Sequence, residues 1–166
     1  MGGSHSLKTL LIVYHSVTGG TRQMAEAACV SDPEVTVRLS RAADATADDV
    51  LDADGYIFAT PENLASMAGA MKSFFDRAYY PVLDRVNGRP YAILICAGSD
   101  GENTARQLKR IATGWRLKQI APPLIVRTNA QTPEAILAPK TISAADLGRC
   151  EEIGATMTAG LAAGIF

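Results

Sequence analysis

Immediately after a strongly apolar run, Thr9 to Tyr14, the chain reads His15-Ser16-Val17-Thr18-Gly19-Gly20-Thr21, and a helical stretch begins near Arg22. A loop that feeds a helix N-terminus presents backbone N–H groups without intrahelical partners and the positive end of the helix dipole, both suited to an anion. Gly19 and Gly20 let the backbone approach a ligand closely, and the hydroxyls of Ser16, Thr18 and Thr21 add three donors in one small volume. A terminal phosphate fits this set better than a pyrophosphate. The spacing is not G-x-G-x-x-G, no acidic residue stands ready for a ribose hydroxyl, and the lysine of G-x-x-x-x-G-K-[ST] is missing. Ser, Thr and Gly also build plain turns and N-caps, so the cluster alone does not decide between a ligand site and a turn. His15 is either a proton donor or anion attractor beside the loop or a solvent-facing imidazole; Arg22 either balances a phosphate or belongs to a solvated helix face.

For such a loop to meet a ligand, it must lie at the carboxyl end of a strand whose neighbours bring their own loops to the same place. Short apolar, β-branched runs at Thr9 to Tyr14, Val35 to Leu39, Gly55 to Ala59, Tyr91 to Ala97 and Ile120 to Arg127 alternate with segments of helical period. That alternation is the pattern of an α/β domain with five parallel strands. Met67, Met71, Phe74, Phe75 and Ala78 recur at helical spacing, as do Ala105, Leu108, Ala112 and Trp115, giving one apolar stripe each. Asp48 and Asp49 open a small helix between the second and third strands. A last helix is expected from Ser143, where Ser-Ala-Ala-Asp resembles a capping box, through Leu147, Cys150, Ile153, Met157 and Leu161. Its glycines, Gly148, Gly154 and Gly160, count against it. Thr128 to Ile142, with Pro133 and Pro139, is a long connection, of the kind that contacts a ligand or a subunit partner. Two further loops, Ala59 to Lys72 after strand three and Ala97 to Glu102 after strand four, fall at strand ends where open α/β sheets bind ligands, so three loops can converge on one ligand.

The composition removes several functions. Among 166 residues, 16 basic against 17 acidic side chains give a net charge of -1, no footprint for a nucleic-acid binder and not the acidity of many dedicated electron carriers. The longest clean apolar run, Leu10 to Tyr14, is far short of the ~20 residues that cross a bilayer. Cys29, Cys96 and Cys150 form no C-x-x-C pair and suit a reducing cytoplasm; with only His5 and His15 present, no metal centre is expected. Residues 1–6, Met-Gly-Gly-Ser-His-Ser, lack the sections of a signal peptide and are expected to be disordered or tag-like, leaving 7–166 as a single domain.

The motifs S-x-T-G-x-T at Ser16 to Thr21 and T-P-E-N-x-x-S-M-A-G-x-M-K-x-F-x-D at Thr60 to Asp76 resemble those of the flavodoxin-like FMN proteins, specifically the NAD(P)H-dependent FMN reductases and multimeric flavodoxins. The resemblance extends from about residue 8 to the chain end. It implies a three-layer sandwich with sheet order 2-1-3-4-5 and helices on both faces. It also implies that Ser16, Val17, Thr18, Gly19, Gly20 and Thr21 hold the FMN phosphate. By the same resemblance Pro61, Glu62, Asn63, Leu64, Ala65, Ser66 and Met67 line the ring, while Ala97, Gly98, Ser99 and Gly101 border its other edge. Where many members carry an aromatic residue or glycine in the ring loop, this chain has Asn63, Leu64 and Ala65, and no long insertion enters the fifth strand. Glu62 either raises the cost of reduced anionic flavin or binds a ring N–H. Met67 falls at the loop-to-helix junction, whereas Met71 belongs to the core; Trp115 and Tyr79-Tyr80 serve packing or a subunit contact.

The activity implied is hydride transfer from NADH or NADPH to non-covalent FMN, then electron transfer to a quinone, free flavin or other small acceptor. The cofactor carries the chemistry, so no catalytic side chain or reactive cysteine is required. The resemblance further implies a cytoplasmic homodimer or homotetramer, with neither nucleic acid nor membrane as partner. Two alternatives stand beside it. One is an electron carrier that docks protein partners, which the near-zero net charge disfavours. The other is a binding module that has lost FMN.

Overall fold

The computed structural model describes residues 7–166, so the tag-like assignment of residues 1–6 lies outside the described residues. In chain order the elements are β1 (Lys8–Tyr14), α1 (Gly20–Ala27), β2 (Val35–Arg41), α2 (Ala47–Asp52), β3 (Gly55–Asn63), β4 (Ser66–Met67), α3 (Gly69–Val82), β5 (Pro90–Ala97), α4 (Glu102–Gly114), β6 (Lys118–Gln119), β7 (Leu124–Arg127), α5 (Pro133–Leu137) and α6 (Ala144–Ala163). Side chains of the central strands alternate between two faces, both apolar, as a sheet covered on both sides demands. Leu11, Val13, Tyr56, Phe58, Ile93 and Ile95 pack with α2, α3 and α4 on one face. Leu10, Ile12, Ile57, Ala59, Leu94 and Cys96 pack with α1 and α6 on the other. The result is the expected three-layer sandwich.

The parallel ladder runs β2-β1-β3-β5, which is the expected order of the first four principal strands. The fifth position differs. Within the expected run Ile120 to Arg127 only β7 is strand, pairing with Leu94 to Ala97 in the expected place beside β5, while the short β6 just before the run pairs with Pro90 and Tyr91. Pro122 and Pro123 fall between β6 and β7, where neither can donate a ladder hydrogen bond. A second addition is β4, which folds back antiparallel on the end of β3 with Glu62 opposite Met67 and Asn63 opposite Ser66. The sheet therefore has seven strands rather than five.

Capping sets the helix starts. Thr46 and Asp49 form a reciprocal capping box at α2, and the Ser143 hydroxyl accepts the Asp146 N–H at α6. Gly154 explains how a glycine-bearing α6 persists: a Cβ there would run into the Ala28 carbonyl, so the glycine lets α6 lie against α1. Trp115 is fully buried, donates its indole N–H to the Tyr79 carbonyl at 3.0 Å and stacks on the Tyr79 ring, which makes both packing residues. Among the described residues no helix is long and apolar enough to cross a membrane.

Candidate functional site

At the end of β1 the backbone turns through Gly19, whose φ of 93° is left-handed and which serves as the N-cap of α1. The Ser16 hydroxyl accepts the Gly19 N–H at 3.2 Å, which closes the loop on itself. Beyond that bond, the N–H groups of Gly20, Thr21 and Arg22 find no acceptor among the described residues, and the first turn of α1 carries no acidic residue. Four threonines are buried, and three of them bond internally: Thr60 to the Pro61 carbonyl, Thr104 to Glu62 and Thr158 to the Gly154 carbonyl. Thr21 is the exception. It is 2% exposed, yet its hydroxyl has no partner among the described residues. No fully buried side-chain N or O among the described residues is left unpaired, so that hydroxyl keeps a sliver of solvent exposure. The Thr18 hydroxyl also has no partner among the described residues, while its carbonyl accepts the Lys140 N–H at 2.8 Å.

A cleft of about 560 Å³ opens beside this loop. Residues 14–19 form its floor, Arg22 and Arg41 supply two guanidinium groups, Ala43, Leu137 and Pro139 complete the wall, and no carboxylate lines it. Arg22 reaches only Glu26, at 3.6 Å across an exposed helix face, a pair of little strength that leaves it free to turn to another anion. Burial, and secondarily the Arg41 charge, hold the His15 imidazole below its ordinary value, which favours its neutral form. Neither Pro61 to Met67 nor Ala97 to Gly101 lines this cleft.

Those two loops are instead joined to each other. Glu62 accepts the N–H of Gly101 at 2.9 Å, the N–H of Thr104 at 3.3 Å and the Thr104 hydroxyl at 2.9 Å. Its carboxylate thus fills the N-terminus of α4, a helix end that would otherwise attract an anion. Asn103 donates to the Ala65 carbonyl, and Gln107 accepts the Met67 N–H while donating to the Ser66 hydroxyl. The hairpin tip is forced into left-handed backbone at Leu64 (φ 52°) and Ala65 (φ 62°), with Leu64 fully exposed. Two consecutive positive φ values are what a two-residue hairpin requires, and without Asn or Gly they carry strain. Asn63, Ala65 and Ser99 are exposed and Pro61, Ser66 and Gly98 half-buried, whereas Ala97, Gly101 and Met67 are buried. Met67 joins Met71 in the core, so its side chain turns inward.

The first loop meets β5 at Gly20, where a Cβ would lie 2.8 Å from Cys96 Sγ, and meets β3 where the His15 N–H donates to the Ala59 carbonyl. All three cysteines are free, and burial pushes each thiol up, Cys150 to about 11. Among the described residues no group of three or more His, Cys, Asp or Glu side chains could hold a metal ion. Sequence reasoning missed the roles of Gln23, Arg41, Asn103, Thr104, Gln107 and Lys140. Each acts across a long separation that no local pattern encodes.

Residues 8–131 match the family described as NADPH-dependent FMN reductase. A flavodoxin of Aquifex aeolicus is 32% identical over a stretch covering 48% of this chain and 45% of its own. An NAD(P)H dehydrogenase (quinone) of Acidithiobacillus ferrooxidans is 33% identical over 43% of this chain and 47% of its own. The match thus spans about half the length of each relative. An archaeal flavodoxin structure superposes with a TM-score of 0.73 at 18% identity, over 92% of this chain and 98% of that one, which makes the fold flavodoxin-like.

Proposed function

Because the chain belongs to the NADPH-dependent FMN reductase family, we propose that it is an oxidoreductase that holds FMN non-covalently, accepts a hydride from NAD(P)H and delivers electrons to a quinone, flavin or other small acceptor. One observation carries the cofactor assignment. The α1 N-terminus offers three free N–H groups, the unpaired hydroxyls of Thr18 and Thr21 and a mobile-charge partner in Arg22, with no acid in its first turn. The α4 N-terminus, by contrast, is closed by Glu62. A phosphate therefore fits the first loop and is refused by the third.

In this reading Ser16 to Thr21 grip the phosphate, and the Glu62-anchored hairpin from Pro61 to Met67 lies beside Ala97 to Gly101 to border the flavin ring. When bound, FMN supplies the hydride and electron chemistry. The protein positions it, and its three high-pKa thiols stay out of the reaction. Glu62 acts as a hairpin anchor, since its carboxylate is already committed to Gly101 and Thr104. Residues 7–166 serve as one cytoplasmic domain, and the exposed apolar side chains of Val17, Leu64 and Leu137 support a homodimer or homotetramer.

The test is the visible spectrum of the purified protein with and without added FMN, followed by NADPH and then a quinone. The expected outcome is one flavin per chain, bleached by NADPH and restored by the quinone. Bound flavin reduced only by dithionite or a partner reductase would favour an electron carrier; a protein that never takes up flavin would favour a binding module.

A further inference from the structure

The segment Thr128 to Ile142 is a folded strap. Thr132 caps α5 by accepting the Ala135 N–H, and the Lys140 ammonium closes the other end by donating to the carbonyls of Ala135, Ile136 and Ala138 at 2.8, 2.8 and 2.6 Å. With all three of its N–H bonds used inside the strap, Lys140 has none left for an anion, and the strap behaves as one unit.

That unit is tied to the first loop by one side chain from α1 and by one backbone bond. The Gln23 amide donates to the Gly19 carbonyl at 2.9 Å and to the Lys140 carbonyl at 2.7 Å, and its Oε1 accepts the Ile142 N–H at 2.9 Å. Gly19 is the N-cap next to the free N–H groups, and the same strap places Leu137 and Pro139 on the cleft wall. A backbone bond from the Lys140 N–H to the Thr18 carbonyl runs parallel to this link. Phosphate-loop geometry and strap position therefore share one three-way hydrogen-bonded junction.

We infer that Gln23 is a positioning residue through which filling the first loop with a phosphate dianion and closing the Thr128 to Ile142 strap over the adjacent cleft become one event. The inference rests on the phosphate-loop assignment above but not on flavin. Fixing Gly19 by a ligand at the neighbouring N–H groups fixes the acceptor of one Gln23 bond, and that rigidity passes to Lys140 and Ile142.

Hydrogen exchange of the full chain tests it, with inorganic phosphate as the probe and FMN binding measured separately. In the wild type, phosphate should slow exchange at Lys140 and Ile142. Gln23→Leu removes all three bonds and should speed exchange at the Ile142 amide, whose acceptor is Gln23 Oε1, in the absence of ligand by roughly tenfold or more, while the Lys140 amide keeps its bond to the Thr18 carbonyl. It should also abolish the phosphate-dependent slowing at Ile142, although phosphate still binds. Gln23→Glu retains the acceptor for Ile142 and loses both donors, so it should keep Ile142 protected while that protection no longer responds to phosphate. A strap that responds to phosphate equally in Gln23→Leu and the wild type, or a wild-type strap indifferent to phosphate, would overturn the inference. A wild type whose strap responds to phosphate but which takes up no FMN would refute the cofactor assignment and leave the coupling standing.

Discussion

Replacing Glu62 by Gln should loosen the hairpin from α4 without altering side-chain size. Glu62 accepts three hydrogen bonds, two of them from Thr104, which is fully buried. Gln keeps one carbonyl oxygen for the Gly101 N–H but turns an NH2 group toward the Thr104 N–H, and it removes the charge at the helix N-terminus. The neutral-for-charged exchange costs about 1 kcal/mol, the stranded N–H about 1 kcal/mol more, and the Thr104 hydroxyl can rotate to accept from the new amide. A total near 2 kcal/mol, at a urea slope of about 2 kcal/mol/M, lowers the unfolding midpoint by about 1 M with the slope unchanged. Thr104→Val removes part of the same contact from the other side, so the double variant should lose less than the sum of the two. On the proposed assignment of the hairpin to the ring and of Ser16 to Thr21 to the phosphate, FMN and riboflavin should weaken together in Glu62→Gln. A midpoint within error of wild type, or strict additivity with Thr104→Val, would refute the anchoring role.

Changing Leu64-Ala65 to Asn-Gly places residues suited to positive φ at a fully exposed tip, and urea unfolding should show a gain of about 1 kcal/mol or more. Gly20→Ala puts a methyl 2.8 Å from Cys96 Sγ and 3.3 Å from Lys140 Cβ; it should cost about 1–3 kcal/mol, partly recovered by adding Cys96→Ala. Burial and Arg41 hold the folded His15 value below 6.5, so between that value and 6.5 the unfolded chain binds more protons than the folded one. The stability tied to this imidazole is present above 6.5 and declines as pH falls toward the folded value. His15→Gln should remove that part of the decline as pH falls through 6.5, and NMR titration of the imidazole checks the direction.

What was legible in the sequence was local. The alternating runs marked β1, β2, β3 and β5 and, through two-face burial, the three layers; the Ser143 cap and the stripe from Met71 to Ala78 placed helices correctly. The broken fifth strand carried its own signal in Pro122-Pro123, which the apolar run around it outweighed. The hairpin at Leu64-Ala65 had no such signal, because its turn uses residues that ordinarily avoid left-handed backbone and is held by Glu62 and Asn103 from outside. At the site, the Ser/Thr/Gly composition pointed to an anion. The observation that supports the proposed phosphate loop, a Thr21 hydroxyl and three N–H groups without partners among the described residues, needs the folded chain. Gln23 and Lys140 act across 117 residues, a distance no spacing argument spans.

The assignment of Ser16 to Thr21 to a flavin phosphate is tested most directly by dissociation constants of FMN and riboflavin, measured by flavin fluorescence quenching in the wild type and in Thr21→Val, whose side chain keeps the shape and loses only the hydroxyl. Hydrogen bonds to a charged group contribute about 1.5–3 kcal/mol, so FMN should weaken roughly tenfold to a hundredfold while riboflavin is unchanged. Equal losses for both ligands, or no loss for either, would contradict the assignment and return the loop to the role of a turn and helix cap.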